Sequence, residues 1–212
     1  MTEEYVTFSG AGLELEGILN RPKGDGPFPA VAICHPHPLY GGDMNNNVVM
    51  AICSTLAEAS LAALRFNFRG VGRSQGKFAE GIGEQEDVDS ALTFLSSLGK
   101  VDRSRIGLVG YSFGAKVALP AALQNELVQA VAFISPFLST SDWQQLRACI
   151  KPKLFLFGSN DSLVLSPEVQ RMASELPQSQ YEVIPGADHF WWGYEGEIAR
   201  RVLAFFRVAL GK

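Results

Sequence analysis

The chain has 212 residues, 47% of them hydrophobic and 19% charged, which is enough apolar material to bury one full core and a normal size for one domain. Its formal net charge of −4 offers no basic footprint and argues against nucleic acid or an anionic membrane as a partner. No apolar run reaches the roughly 18–20 residues that a membrane helix needs.

Taken in chain order, Val6–Phe8 and Leu13–Asn20 read as two short strands joined by a Ser-Gly-Ala-Gly turn, an antiparallel hairpin at one edge of a sheet. Ala30–Cys34 is an apolar run without alternation, as a strand covered on both faces should be. A helix at about Val48–Ser60 and a strand at Ala62–Phe66 follow. Glu84–Leu98 carries Val88, Ala91, Leu92 and Leu95 at i, i+3, i+4 and i+7, the spacing of an amphipathic helix. Ile106–Val109 is the next strand and Phe113–Leu123 the helix after it. Ala130–Ile134 and Leu154–Phe157 are two more strands, and the stretch from Ser135 to Lys153 between them has room for one short helix and no cap domain. Ser166-Pro167 opens a further helix with a capping serine and a proline at the first helical position. Tyr181–Ile184 is the last strand and Glu197–Leu210 a closing amphipathic helix.

Strands alternating with helices predict an α/β architecture, a mostly parallel sheet of about eight strands with helices on both faces. No repeat or linker interrupts it, so residues 1–212 are expected to form a single domain. Cys34, Cys53 and Cys149 are odd in number and far apart, and they read as buried thiols of a reducing compartment. The acidic Met-Thr-Glu-Glu-Tyr start has no signal-peptide pattern, so the expected location is cytoplasmic.

Gly110-Tyr111-Ser112-Phe113-Gly114 lies directly between a predicted strand and a predicted helix. A serine in so tight a turn needs neighbours without side chains, and the turn lifts its hydroxyl above the carboxyl edge of the sheet. The following helix aims its free N–H groups at the same point. Two further segments stand out: His35-Pro36-His37-Pro38-Leu39-Tyr40-Gly41-Gly42 after the third strand, and Asn67-Phe68-Arg69-Gly70-Val71-Gly72-Arg73-Ser74 after the fourth. With these three motifs the sequence resembles the α/β-hydrolase superfamily over nearly its whole length. More narrowly, it is similar to small, lidless bacterial serine hydrolases related to dienelactone hydrolases and carboxylesterases. The resemblance implies a nucleophile, acid and base in the order Ser, Asp, His. Dienelactone hydrolases proper usually carry a cysteine nucleophile, and Ser112 departs from that.

A serine hydroxyl needs an adjacent base, and the chain has only three histidines. His189, after the last strand, opens at the same sheet edge as Ser112 and is the base. The acid must orient the imidazole and stabilise its charged form. Asp161, shortly after the Leu154–Phe157 strand, holds the position that the family's chain order implies. Asp142 competes, since some members carry the acid one strand earlier, but it also reads as a helix cap; Asp188, beside the base in sequence, should point away from the ring.

Acyl transfer needs two donors where the carbonyl oxygen becomes negative. The backbone N–H of Phe113 is one by the geometry of the turn, and the family pattern implies that of His37 as the second. Pro36 and Pro38 have no N–H to offer, so the residues alone leave His37, Leu39, Tyr40 or Gly41 in that stretch. A metal is not expected, because no His-rich or Cys-rich cluster is evident, and neither is a cofactor. The run from Gly70 to Lys77 fails as a dinucleotide fingerprint, since Gln75 stands at the third glycine, and as a phosphate loop, since Phe78 follows Lys77. Arg69 reads as structural, and Trp191-Trp192 as packing. Tyr40, Phe68, Phe137 and Trp143 are the candidates to line an open, shallow pocket. These features together point to a serine hydrolase of small carboxylic esters. Peptidase, thioesterase and dienelactone-type chemistry are alternatives on the same residues, and a non-catalytic small-molecule receptor is a different class.

Overall fold

The computed structural model describes residues 1–211. The chain runs β1 (Thr2–Gly10), β2 (Leu13–Arg21), β3 (Phe28–Cys34), α1 (Asn47–Glu58), β4 (Ala62–Phe66), α2 (Gly83–Ser97), β5 (Val101–Tyr111), α3 (Phe113–Gln124), β6 (Val128–Ile134), α4 (Thr140–Leu146), β7 (Lys153–Gly158), α5 (Pro167–Ser174), β8 (Ser179–Ile184) and α6 (Glu195–Ala209). One eight-stranded sheet has the order β1-β2-β4-β3-β5-β6-β7-β8. β2 is antiparallel to both β1 and β4, and every other neighbouring pair is parallel.

The parallel strands are covered on both faces. In β3, Ala30, Ala32 and Cys34 point into the apolar layer under α2, α3 and α4, while Val31 and Ile33 point into the layer under α1 and α6. All five are fully buried, which is why the segment is apolar throughout instead of alternating. The helices cover these faces with the stripes their spacing predicts. α2 buries Val88, Ala91, Leu92 and Leu95, and α6 buries Ile198, Ala199, Val202, Phe205 and Phe206. α1 begins at a side-chain cap, Asn46 Oδ1 accepting from the Val48 and Val49 N–H groups at 3.0 and 3.4 Å. No helix among the described residues is long and apolar enough to cross a membrane.

Several strands begin before their expected limits, β1 and β5 by four or more residues. β1 starts at Thr2, four residues before the apolar signal, because its polar first half is held by pairing with β2 from Thr2–Arg21 onward and by Arg21–Glu4 (2.6 Å) and Asn20–Glu3 (3.0 Å) side-chain bonds. β5 starts at Val101, where Val101 pairs with Phe28 across an irregular register that carries the polar Asp102–Arg105 stretch. The loop after β3 contains a single turn of 3₁₀ helix at Pro38–Tyr40, with His37 as its cap. The short helix expected between Ser135 and Lys153 is α4, and no cap domain intervenes.

After β3 the chain moves outward to β4, and after β5 it moves the other way to β6. The carboxyl ends of β3 and β5 thus flank the point where strand order reverses, the crevice in which open parallel sheets bind ligands.

Candidate active site

Ser112 follows β5 and caps α3 with φ 55° and ψ −114°, a conformation that costs a non-glycine residue on the order of 1–3 kcal/mol and that the surrounding structure must hold in place. The glycines on either side make the turn possible. A Cβ on Gly110 would run into the backbone of Gly114 and Ala115, and one on Gly114 into the carbonyl oxygens of Cys34 and His35. The second contact packs the start of α3 against the end of β3. The Ser112 N–H is tied to the Ile134 carbonyl of β6 at 2.9 Å.

His189 Nε2 lies 2.9 Å from Ser112 Oγ, and its Nδ1 lies 3.0 and 3.1 Å from the two oxygens of Asp161. With the ring proton on Nδ1, the histidine donates to the carboxylate and presents a lone pair to the serine hydroxyl. Asp161 is 1% exposed. Its burial would raise its pKa, but bonds from His189, the neighbouring Ser135 hydroxyl and the Leu163 N–H outweigh burial and hold the carboxyl below its ordinary value. It is therefore an anion aimed at the imidazole. The competing aspartates are engaged elsewhere. Asp142 forms a capping box with Ser139, accepting from its N–H at 2.7 Å and its hydroxyl at 2.8 Å. Asp188 turns away from the ring and accepts from the Phe190 and Trp191 N–H groups.

Phe113 and His37 both border the depression around Ser112, and the backbone N–H of neither has a hydrogen-bond partner among the described residues. The imidazole of His37 packs against Phe113, Tyr40 and Phe78 at centroid distances of 4.6, 4.9 and 5.1 Å, and its Nδ1 accepts from Leu39 N–H at 3.2 Å. His35 is fully buried and used on both ring nitrogens: Nδ1 donates to Pro36 O at 2.7 Å and Nε2 accepts from Phe68 N–H at 3.1 Å. Burial lowers its pKa to about 4, so it is a neutral strut between the loops after β3 and β4.

The second motif is also structural. Arg69 forms a buried ion pair with Asp87 of α2 (Nη2–Oδ1 2.8 Å), and Asn67 accepts from Met44 N–H and donates to Glu16. Among the described residues no group of three or more His, Cys, Asp or Glu side chains could hold a metal ion.

The depression is open, about 850 Å³ in volume. Exposed Leu39, Tyr40, Phe137, Leu163 and Phe190 wall it from the surrounding loops. Tyr40 and Phe137 line it as expected. Phe68 and Trp143 do not: Phe68 is fully buried between Phe66 and Phe113, and Trp143 is 3% exposed and packs on Phe155. Hydrophobic size alone does not separate a wall residue from a core residue. Leu163, Phe190 and Phe78 line the depression without having been singled out in the sequence. Only Phe190 carried a signal, its adjacency to His189. Trp191 is buried in the core and Trp192 is exposed, and neither lines the depression.

The dienelactone hydrolase family model matches residues 15–197. The structure is similar to that of an α/β serine hydrolase homologue from Coxiella burnetii, 34% identical with a TM-score of 0.85, covering 96% of this chain and 97% of that one. An α/β serine hydrolase without a lid from Xanthomonas campestris is 28% identical with a TM-score of 0.80, covering 96% of both chains. By sequence the chain is similar to the esterase FrsA of Escherichia coli, 31% identical over 133 residues, which span 61% of this chain and 30% of that protein.

Proposed function

The chain belongs to the dienelactone hydrolase family, and from that premise we propose that it hydrolyses small carboxylic esters through an acyl-enzyme on Ser112. The observation that carries the reading is the continuous line of hydrogen bonds from Asp161 through His189 to Ser112, at 3.0 and 2.9 Å. In the first step His189 Nε2 takes the hydroxyl proton as Ser112 Oγ bonds to the ester carbonyl carbon, and the carbonyl oxygen becomes an oxyanion between the N–H groups of Phe113 and His37. Asp161 stabilises the imidazolium without itself taking the proton. The intermediate collapses, the C–O bond to the alcohol breaks, and the imidazolium protonates the leaving oxygen. Water, deprotonated by His189, then attacks the acyl carbon, and the acid leaves with Ser112 Oγ reprotonated.

A serine nucleophile fits better than a thiol, because Cys34, Cys53 and Cys149 are all buried and none stands at the turn. Three free, buried cysteines fit a reducing compartment, the cytoplasm. Thioester, lactone and peptide substrates would use the same residues with a different leaving group. The esterase and serine-hydrolase descriptions of the similar proteins favour the ester.

The test is a series of p-nitrophenyl esters of graded acyl length, run on the parent and on Ser112→Ala. Among the described residues nothing closes over the depression, and its volume must hold acyl and alcohol parts together. The ratio kcat/KM should therefore peak at short acyl chains, around two to six carbons, and fall or stay flat beyond. No jump in rate is expected at the critical micelle concentration, since the described residues form no lid for a lipid surface to open. Ser112→Ala should lower kcat on the order of 10³–10⁶-fold. A variant within tenfold of the parent refutes the nucleophile, and a steady rise through long-chain esters refutes the substrate class.

A further inference from the structure

Two buried bonds behind the base have no part in the steps above. The Tyr111 hydroxyl, at the last position of β5, donates to the backbone carbonyl of His189 at 2.7 Å. The Trp191 Nε1–H, two residues past the base, donates to Ser135 Oγ at 3.0 Å, just beyond β6. Their anchors sit side by side in the sheet: Tyr111 pairs with Ile134, and Ser135 follows Ile134 directly. Tyr111 is 2% exposed, and Ser135 and Trp191 are fully buried.

The backbone at both ends of the second bond is held in an unusual conformation. Ser135 has φ 41° and Trp191 φ 61°, and Ser112 itself has φ 55°. Positive φ in non-glycine residues is costly, and its clustering around one site marks a geometry that the fold over-determines. The near end of the same loop is pinned separately, by Asn160 N–H to Ala187 O at 2.9 Å. His189 is thus fixed before and behind, on the loop that also carries the acid and on the strand that carries the nucleophile.

We propose that Tyr111 and the Ser135–Trp191 pair are positioning residues that act on the reaction through the Asp161–His189 pair, holding the imidazole in line between Asp161 and Ser112. The proposal rests on the reading of His189 as the general base. A serine that accepts from Trp191 has its own proton free for another acceptor, and the Asp161 carboxylate stands beside it. Burial pushes the Tyr111 phenol above its ordinary value, so it remains a donor wherever the enzyme would work. A small displacement of a reacting group can cost on the order of 10²-fold in rate without any change in what touches substrate.

The experiment is a mutant cycle read by the rate of Ser112 labelling with a fluorophosphonate, which needs an activated serine but no knowledge of the natural ester. Tyr111→Phe keeps the ring and loses the hydroxyl. Ser135→Ala and Trp191→Phe test the second bond, and serve as well if one variant fails to fold. Each should slow labelling on the order of 10- to 10²-fold in the parent. In a His189→Ala background each should change it by less than twofold, since the group they position is gone. Proton NMR supplies a second signature: the low-field resonance of the His189 Nδ1–H, identified by its loss in His189→Ala, should shift or broaden in Tyr111→Phe. Equal losses in both backgrounds, or none in the parent, overturn the proposal while leaving the hydrolase reading intact. Absence of any labelling in the folded parent overturns the hydrolase reading, and the proposal with it.

Discussion

Asp161 and Asp142 compete in the sequence for one role, and their hydrogen bonds separate them. Asp161 spends its carboxylate on His189 and on the N–H groups of its own loop, whereas Asp142 spends its carboxylate on the first turn of α4. Asp161→Asn should leave the imidazole wrongly oriented and lower kcat by about 10⁴-fold. Asp142→Asn should leave kcat near the parent and cost at most about 1 kcal/mol of stability, the worth of a helix cap. Steady-state kinetics and urea melts of both variants check this, and the larger kinetic loss at Asp142 would reverse the assignment. His35 makes a different prediction, about pH. Its folded pKa of about 4 lies below the ordinary 6.5, so between those values the unfolded chain binds the extra proton and stability falls as pH drops. The full swing is on the order of 3 kcal/mol, for 1.36 kcal/mol per unit. Urea midpoints should show His35→Gln less stable than the parent at pH 7 and less sensitive to acid between pH 6.5 and 4. Parallel slopes would contradict it.

At the scale of elements, the sequence was most legible where burial and periodicity agree. The strand Ala62–Phe66 appears with its expected limits, and the stripe Val88, Ala91, Leu92, Leu95 is buried as its spacing predicts. It was least legible where structure comes from pairing with a remote partner. The first half of β1 and the Asp102–Arg105 part of β5 are polar, and only their neighbours in the sheet make them strands. The 3₁₀ turn at Pro38–Tyr40 has proline and glycine at its ends, which read equally as plain loop. Packing between elements carries its own prediction. Gly114 lets the start of α3 approach the Cys34 and His35 carbonyls that end β3. Gly114→Ala should destabilise by roughly 1–3 kcal/mol through overpacking and lower kcat by shifting the turn that carries Ser112. Urea melts and ester kinetics check both. A variant indistinguishable from the parent would mean the contact is not tight.

Over the whole molecule, the alternation of strands and helices disclosed the class of fold, but not the order β1-β2-β4-β3-β5-β6-β7-β8 or the reversal between β3 and β5 that locates the crevice. The residues offered for acid–base chemistry come together because each follows a strand and opens at one edge of the sheet. The pocket could be read only in part. Phe68 and Trp143 are core while Leu163 and Phe78 are wall, a division made by tertiary packing that no local pattern carries. The connection from β6 to β7 holds only the short α4, and among the described residues Ser112 borders a broad, apolar-walled depression open to solvent.

That accessibility makes the central claim directly measurable. The folded protein is treated with a fluorophosphonate, and the adduct is mapped by peptide mass spectrometry. One adduct per chain is expected, on Ser112, absent from Ser112→Ala and strongly slowed in His189→Ala. No adduct on a protein shown by circular dichroism to be folded, or an adduct on a residue other than Ser112, would contradict it.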